Sequence, residues 1–263
     1  MSSVHLTRTD HGATLTIDNQ ARGNALTPVM MQEMASQVAV LAAEIEESGG
    51  PFGALVIRGA GDRAFCAGYD LDSLHAETRE RPDLVIPELL ELLECLTGFP
   101  GTTIAALQGH AIGGGALLAS LCDLRYARSG VRFRIPTTRI GILYPLPGLR
   151  RLVALLGVGR ATELLLLADD LMPERGVDWG LYQEVLDDAD TLFARVDAVA
   201  RALASRSPLA SRGALAVLRR LGAGGDGIEE LHAEWLARCV ASEDLDEGLR
   251  AARERREPAF RGR

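Results

Sequence analysis

Three consecutive glycines, Gly113-Gly114-Gly115, constrain the fold of this chain more than any other stretch. They sit within Gly109-His110-Ala111-Ile112-Gly113-Gly114-Gly115-Ala116-Leu117, which runs on to Cys122-Asp123. The apolar run 103–107 leads in as a strand would, and the small residues from Ala116 to Ser120 lead out as a helix would. With no side chains in the way, backbone N–H groups here can approach a ligand closely. At the start of a helix they would also lie at its partially positive end. Donors placed this way can hold a developing oxyanion. A plain strand-to-helix hinge makes the same demands on sequence, so this stretch alone leaves both readings open.

A chain of 263 residues, 47% hydrophobic and 24% charged, can bury a real core as one large domain or as one plus a small helical extension. Its net charge of −8, with no basic arm before the C-terminus, argues against a nucleic-acid partner. All 28 cationic residues are arginine, which excludes Schiff-base chemistry and a phosphate-loop lysine. The apolar run 103–121 is too interrupted by Gln108, His110 and glycines to span a membrane and reads as a buried core segment. Residues 1–5 lack a secretion pattern, so a cytoplasmic location is expected. Cys66, Cys95, Cys122 and Cys239 show no metal-ligand spacing and are expected as reduced thiols, with no metal site.

Residues 4–7 and 13–17 read as short strands around the turn Asp10-His11-Gly12. Thr27 and Pro28 predict a helix start, followed by an apolar stripe from Val29 to Ile45 and a stop near Gly49. The continuously apolar 54–57 is expected as a strand covered on both faces. A helix is predicted over 87–97, strands at 124–127 and 132–135, and helical runs at 148–156 and 160–167. Beyond Thr191 the pattern is helical: 192–205, 209–221, 228–240 and 245–256. Early strands and late helices predict an α/β core of βα units followed by a helical C-terminal region.

A second small-residue turn, Ala67-Gly68-Tyr69-Asp70, also follows a buried strand and precedes a helix. One N–H from each turn, converging on a single oxygen, would stabilise an enolate or tetrahedral oxyanion. Loss of one such donor typically raises a barrier by about 2.7–4 kcal/mol.

In these motifs the chain resembles the crotonase superfamily, the enoyl-CoA hydratase/isomerase family. The resemblance rests on Arg22-Gly23-Asn24-Ala25-Leu26, the run from Ala64 to Leu71, and Gly109-x-Ala111-x-Gly113-Gly114-Gly115 with Cys122-Asp123. Gly141 to Leu152, with Gly148 and Arg151-Leu152, and the terminal Arg256-Glu257-Pro258-Ala259-Phe260 complete it. It spans nearly the whole chain. It implies a stacked ββα spiral core over 1–190 and a helical trimerisation region over 191–263, giving a homotrimer or a dimer of trimers. It implies a coenzyme A thioester as substrate, no further cofactor, and oxyanion donors at the N–H groups of Tyr69 and Gly114. Coenzyme A would lie along Arg22, Ala25, Ala67, Gly68, Asp70 and Leu71, with Arg255 and Arg256 reaching its phosphates across a subunit boundary.

Two positions depart from the family's hydratases. Their paired glutamates, two residues past the glycine run and just after a proline, correspond here to Leu117 and to Thr137 after Pro136. Neither side chain serves as a general base near neutral pH, so hydration is not expected. Tyr144 stands in a loop similar to that of methylmalonyl-CoA decarboxylases, where a tyrosine orients the departing carboxylate. Isomerisation or decarboxylation through a thioester enolate is therefore expected, and the alternative is a catalytically silent acyl-CoA binder. Arg134 and Arg139 are further candidates for meeting an acyl carboxylate. His75 is a weaker candidate at the pocket mouth, and one of Asp72, Glu88, Glu91 and Glu94 is a weaker candidate for an isomerase base. His110 is expected to bond locally, and Asp123 is expected to fix a turn. A serine hydrolase is excluded, since Gly-x-Ser-x-Gly is absent.

Overall fold

The computed structural model describes residues 2–70, 72–73 and 86–263. Strands β1 (Ser3–Thr9) and β2 (Gly12–Asp18) form an antiparallel hairpin, and β3 (Ala54–Gly59), β5 (Thr102–Leu107), β7 (Leu124–Arg128) and β9 (Glu184–Leu186) extend it in parallel. The sheet order is β1-β2-β3-β5-β7-β9. A second, smaller parallel sheet is ordered β4 (Ala64–Cys66), β6 (His110–Ile112), β8 (Phe133–Arg134).

Helices cover both faces of the larger sheet. Leu55, Ile57, Ala105, Leu107 and Ala127 face one core, together with Met30, Met34, Val38 and Leu41 of α1 (Pro28–Ser48) and Leu92, Leu93 and Leu96 of α2 (Pro87–Thr97). The alternate residues Ala54, Val56, Ile104, Ala106 and Tyr126 face Leu192, Val196 and Ala200 of a later helix, α6 (Ala189–Ala204). Because side chains alternate across a strand, burial on both faces produces the unbroken apolar run at 54–57. The remaining helices are α3 (Gly114–Leu121), α4 (Leu146–Leu166), α5 (Pro173–Asp178), α7 (Pro208–Gly222), α8 (Ile228–Val240) and α9 (Glu243–Glu254).

The capping signals act as written. Thr27 Oγ1 accepts from the N–H of Met30 at 3.3 Å, and Gly49 closes α1 in the left-handed conformation. The two runs expected at 148–156 and 160–167 merge into one α4, broken at Gly157, whose φ of 75° and ψ of 164° are not helical. The strand expected at 132–135 is shorter, since β8 pairs only through Phe133 and Arg134. The helical region expected from 191 divides: α6 is the second cover of the sheet, whereas α7 to α9 lie outside that layer. Among the described residues no helix is long and apolar enough to cross a membrane.

Candidate active site

The small sheet builds the site. β4 and β6 are parallel neighbours, with Ala64 opposite His110 and Cys66 opposite Ala111. Their C-terminal ends, and so the turns that leave them, therefore lie side by side. A Cβ on Gly68 would lie 3.0 Å from the nitrogen of Gly114, and one on Gly114 would lie 3.2 Å from the nitrogen of Tyr69. The two turns meet backbone to backbone.

Their donors are aimed by pairing on either side. Leu26 N–H donates to Gly68 O at 2.8 Å and Asp70 N–H donates to Leu26 O at 2.9 Å. Successive N–H groups of an extended segment point to opposite edges, so that of Tyr69 points away from Leu26, toward Gly113 and Gly114. Gly113 donates to Arg134 O at 2.8 Å across the sheet, and its φ of 55° turns the chain into α3. Gly114 is the first residue of α3, where an N–H has no acceptor within the helix. Behind it, a Cβ on Gly115 would fall on the carbonyl of Cys66, so only glycine fits there. Burial pushes the Cys66 thiol up to about 12, and it packs as a small apolar group.

The entry loop is pinned from beneath. Asn24, buried at φ 59°, accepts from Asn19 N–H at 3.0 Å and donates to Ala60 O and Ala64 O at 2.9 and 2.7 Å. Ala25 is buried and Ala67 exposed beside it. Arg22 donates to Asp70 at 2.5 Å and to Asp72 at 2.9 Å, so three residues from the sequence-derived set and its neighbourhood form one ion-pair cluster. Burial alone would raise the Asp70 carboxyl; bonds from Arg22 and Ser73 outweigh it and hold the group below its usual range. Leu71 and His75 lie outside the described residues.

Further along α3, the surroundings of Leu117 are apolar. Leu117 is 1% exposed and Tyr144 4% exposed. They meet over Gly148, where a Cβ would lie 2.6 Å from Leu117 Cδ1 and 2.5 Å from the Tyr144 ring. The Tyr144 hydroxyl is buried without a hydrogen-bond partner among the described residues, and so is Thr137 Oγ1. Burial drives the Tyr144 phenol well above its ordinary pKa, so it stays protonated and can only donate or accept a hydrogen bond.

Other candidates lie elsewhere. Arg139 donates to Leu167 O and Asp169, and Arg134 lies 3.5 Å from Asp170. Arg256 is tied to Glu247 and Glu254 at 2.6 Å each, and Arg255 is the exposed left-handed residue that closes α9. His110 accepts from Arg132 N–H at 3.1 Å, a bond between strands. Asp123 anchors β5 by accepting from the N–H and hydroxyl of Thr103 at 2.8 and 2.9 Å. Glu88 accepts from Gln32 at 3.4 Å, leaving its second oxygen buried and unpartnered among the described residues. At the far end of α3, a separate cavity of about 870 Å³ is lined by Leu121, Asp123, Arg150, Arg151, Arg219 and Trp235. Sequence reading missed Gly148 as a packing position and left Arg151 without a role. Their spacing of three, which shares a helix face, was the available signal.

Comparison with known proteins shows the family. The enoyl-CoA hydratase/isomerase profile matches residues 10–263. This chain belongs to the enoyl-CoA hydratase/isomerase family. It is 32% identical over 262 residues to echA6 of Mycobacterium tuberculosis, named a probable enoyl-CoA hydratase, with 98% of this chain and 99% of that protein covered. The enoyl-CoA isomerase/hydratase fer4 of Mycosarcoma maydis is 30% identical, over 100% of this chain and 96% of its own. Among solved structures, an enoyl-CoA hydratase/carnithine racemase from Magnetospirillum magneticum superposes with a TM-score of 0.88 at 29% identity, covering 100% and 97% of the two chains. The family acts on acyl-CoA substrates, and its stacked crotonase fold is the one seen here.

Proposed function

We propose that this chain binds an acyl-CoA thioester and acts through its enolate, and that decarboxylation of a malonyl-type thioester suits its residues best. The observation that carries this reading is the packing of Leu117, three residues after Gly114 on α3, against the Tyr144 ring over Gly148. By the resemblance, Leu117 stands where the family's hydratases carry one glutamate; it is buried, and beside it stands a buried, protonated phenol without a hydrogen-bond partner among the described residues. Hydration needs a base to activate water, and isomerisation needs one to carry a proton between carbons. Leu117, Thr137 and Tyr144 supply none. Decarboxylation requires none for the bond-breaking step. The bond from the α-carbon to the carboxylate breaks, its electron pair becomes the enolate, and CO₂ leaves. The N–H groups of Tyr69 and Gly114 hold the charge on the thioester oxygen. Water then returns a proton to the α-carbon. The Tyr144 hydroxyl would orient the carboxylate out of the plane of the forming enolate.

The remaining family-derived assignments belong to the same proposal. Coenzyme A would run past Ala25, Ala67 and the Arg22–Asp70 pair, whose opening would free Arg22 for a phosphate. Arg255 and Arg256 would act across a subunit boundary of a homotrimer or a dimer of trimers, an assembly that sedimentation would measure.

The deciding measurement is CO₂ release from methylmalonyl-CoA and malonyl-CoA, with crotonyl-CoA hydration followed in parallel. The expected result is decarboxylation that falls at least tenfold in Tyr144→Phe, with a loss of about 1.4 kcal/mol or more of barrier lowering, and no hydration. Efficient hydration of crotonyl-CoA would refute the reading. Tight acyl-CoA binding with no turnover of any thioester would replace it with a silent binder.

A further inference from the structure

Helix α3 is only eight residues, roughly 12 Å long, so the chemistry at its first residue is close to whatever holds its last. Its N-terminus supplies the Gly114 donor. The last carbonyls of so short a helix have no intrahelical partner, and every residue from Gly115 to Leu121 is buried from water. Two guanidinium groups fill that gap. Arg125, buried after β7 begins, donates to the carbonyls of Ala119, Ser120, Cys122 and Asp123. Arg151, on α4, donates from Nε to Ser120 O at 2.8 Å and from a terminal nitrogen to Cys122 O at 2.9 Å.

Arg125 comes from the strand that follows α3 and serves as its local cap. Arg151 comes from another element, and that element carries Tyr144 at its entry. On α4, Gly148 and Arg151 are three residues apart and share a face; on α3, so do Leu117 and Ser120. The two helices are thus docked at two points. One is the close packing of Leu117 and the Tyr144 ring over Gly148. The other is the pair of hydrogen bonds from Arg151. A cation against helix carbonyls also complements the negative end of the helix dipole, whose positive end is at Gly114.

We propose that Arg151 is a positioning residue for the oxyanion site: it locks α4 onto α3 in one register, so that Gly114 N–H and Tyr144 address the same thioester. This rests on the proposed role of Gly114 as an oxyanion donor. Arg151 does not touch the ligand; it acts through the helix whose far end does.

The test uses butyryl-CoA, a saturated thioester, carrying ¹³C at its carbonyl, and reads the carbonyl stretch in the bound complex by infrared difference spectroscopy. Wild-type protein is expected to move the band to lower frequency as the hole polarises the carbonyl. Arg151→Met is expected to bind butyryl-CoA with little change in affinity yet lose most of that shift. Arg151→Lys, which keeps the charge but not the fork that spans two carbonyls, is expected to fall between. Circular dichroism and melting establish that each variant is folded; if Arg151→Met is not, Arg151→Lys carries the test. A full wild-type shift in the folded variants overturns the proposal. Wild-type protein that binds butyryl-CoA with no shift would instead overturn the oxyanion-hole reading itself, and that result needs no variant.

Discussion

Substituting Gly148 by alanine sets two effects of opposite sign against each other. Gly148 is the third residue of α4, where alanine is favoured over glycine by up to about 1 kcal/mol on helix propensity. Packing opposes the change. The added Cβ would lie 2.5 Å from Tyr144 Cε1, 2.6 Å from Leu117 Cδ1 and 3.0 Å from Tyr144 Cδ1. Carbon atoms rest at about 3.5–4.0 Å, so the first two contacts are short by about 1 Å. Both neighbours are buried, and overpacking of this kind costs about 1–3 kcal/mol. The clash should therefore win, leaving a net destabilisation of about 1 kcal/mol. The Tyr144 ring would be pushed off its seat, lowering turnover more than thioester affinity. Urea denaturation with steady-state kinetics would measure both. Leu117→Ala removes one of the clashing atoms at a cavity cost of about 2–5 kcal/mol, and Gly148→Ala added to it should recover part of that loss. If Gly148→Ala stabilises wild-type protein by the full propensity gain, the packing of Leu117, Gly148 and Tyr144 described above is wrong.

Three further outcomes are expected. In the native protein iodoacetamide should label Cys95 and Cys239 only, because Cys66 and Cys122 are buried with thiols pushed up to about 12; peptide mass mapping at pH 8 would show it. Arg219→Met should cost about 2–4 kcal/mol in urea denaturation, since Arg219 meets the largely buried Asp123 at 2.7 Å and also donates to Phe99 O and Gly101 O; a loss under about 0.5 kcal/mol would contradict that burial. The segment after α9 is held by Glu247, which accepts from Arg256 and from Ala259 N–H and whose carboxyl is thereby held at about 2. A depressed folded-state value means the attachment is fully present above the ordinary glutamate range and fades as pH falls toward about 2. The protection of the Ala259 amide relative to its intrinsic exchange rate should fall over that window and should be absent at neutral pH in Glu247→Gln.

Much of this molecule was legible because its signals are local. Thr27-Pro28 and Gly49 mark both ends of α1, and each acts through a single residue's geometry or hydrogen bond. The continuous apolar run at 54–57 reported its own two-sided burial. Pairing of the two glycine turns was also readable, because parallel neighbours end side by side. What escaped was set by distant partners. Strand β9 is three half-buried residues that pair with β7 only because the chain returns there, and no alternation marks it. The nearness of Arg134 to Asp170 and of Arg139 to Asp169, at 3.5 and 3.1 Å, is a contact between distant segments that no spacing rule exposes. The ion pair of Arg256 with Glu247, nine residues earlier on α9, escaped for the same reason. Charge alone names a side chain's appetite, and the tertiary fold decides which neighbour satisfies it.

The donors proposed at Tyr69 and Gly114 belong to the main chain, and that has a consequence for how such a protein can change over generations. Replacing the tyrosine side chain leaves the N–H of residue 69 in place, and α3 presents its first N–H whatever residue follows the glycines. Substitutions at Gly68, Gly113, Gly114 or Gly115, where a positive φ or a close neighbouring backbone opposes a Cβ, are the ones that would disturb the proposed hole directly. The proposed reaction, by contrast, depends on side chains at 117, 137 and 144, each open to exchange. Mutation can therefore sample new chemistries on an enolate while the device that stabilises the enolate is inherited almost untouched.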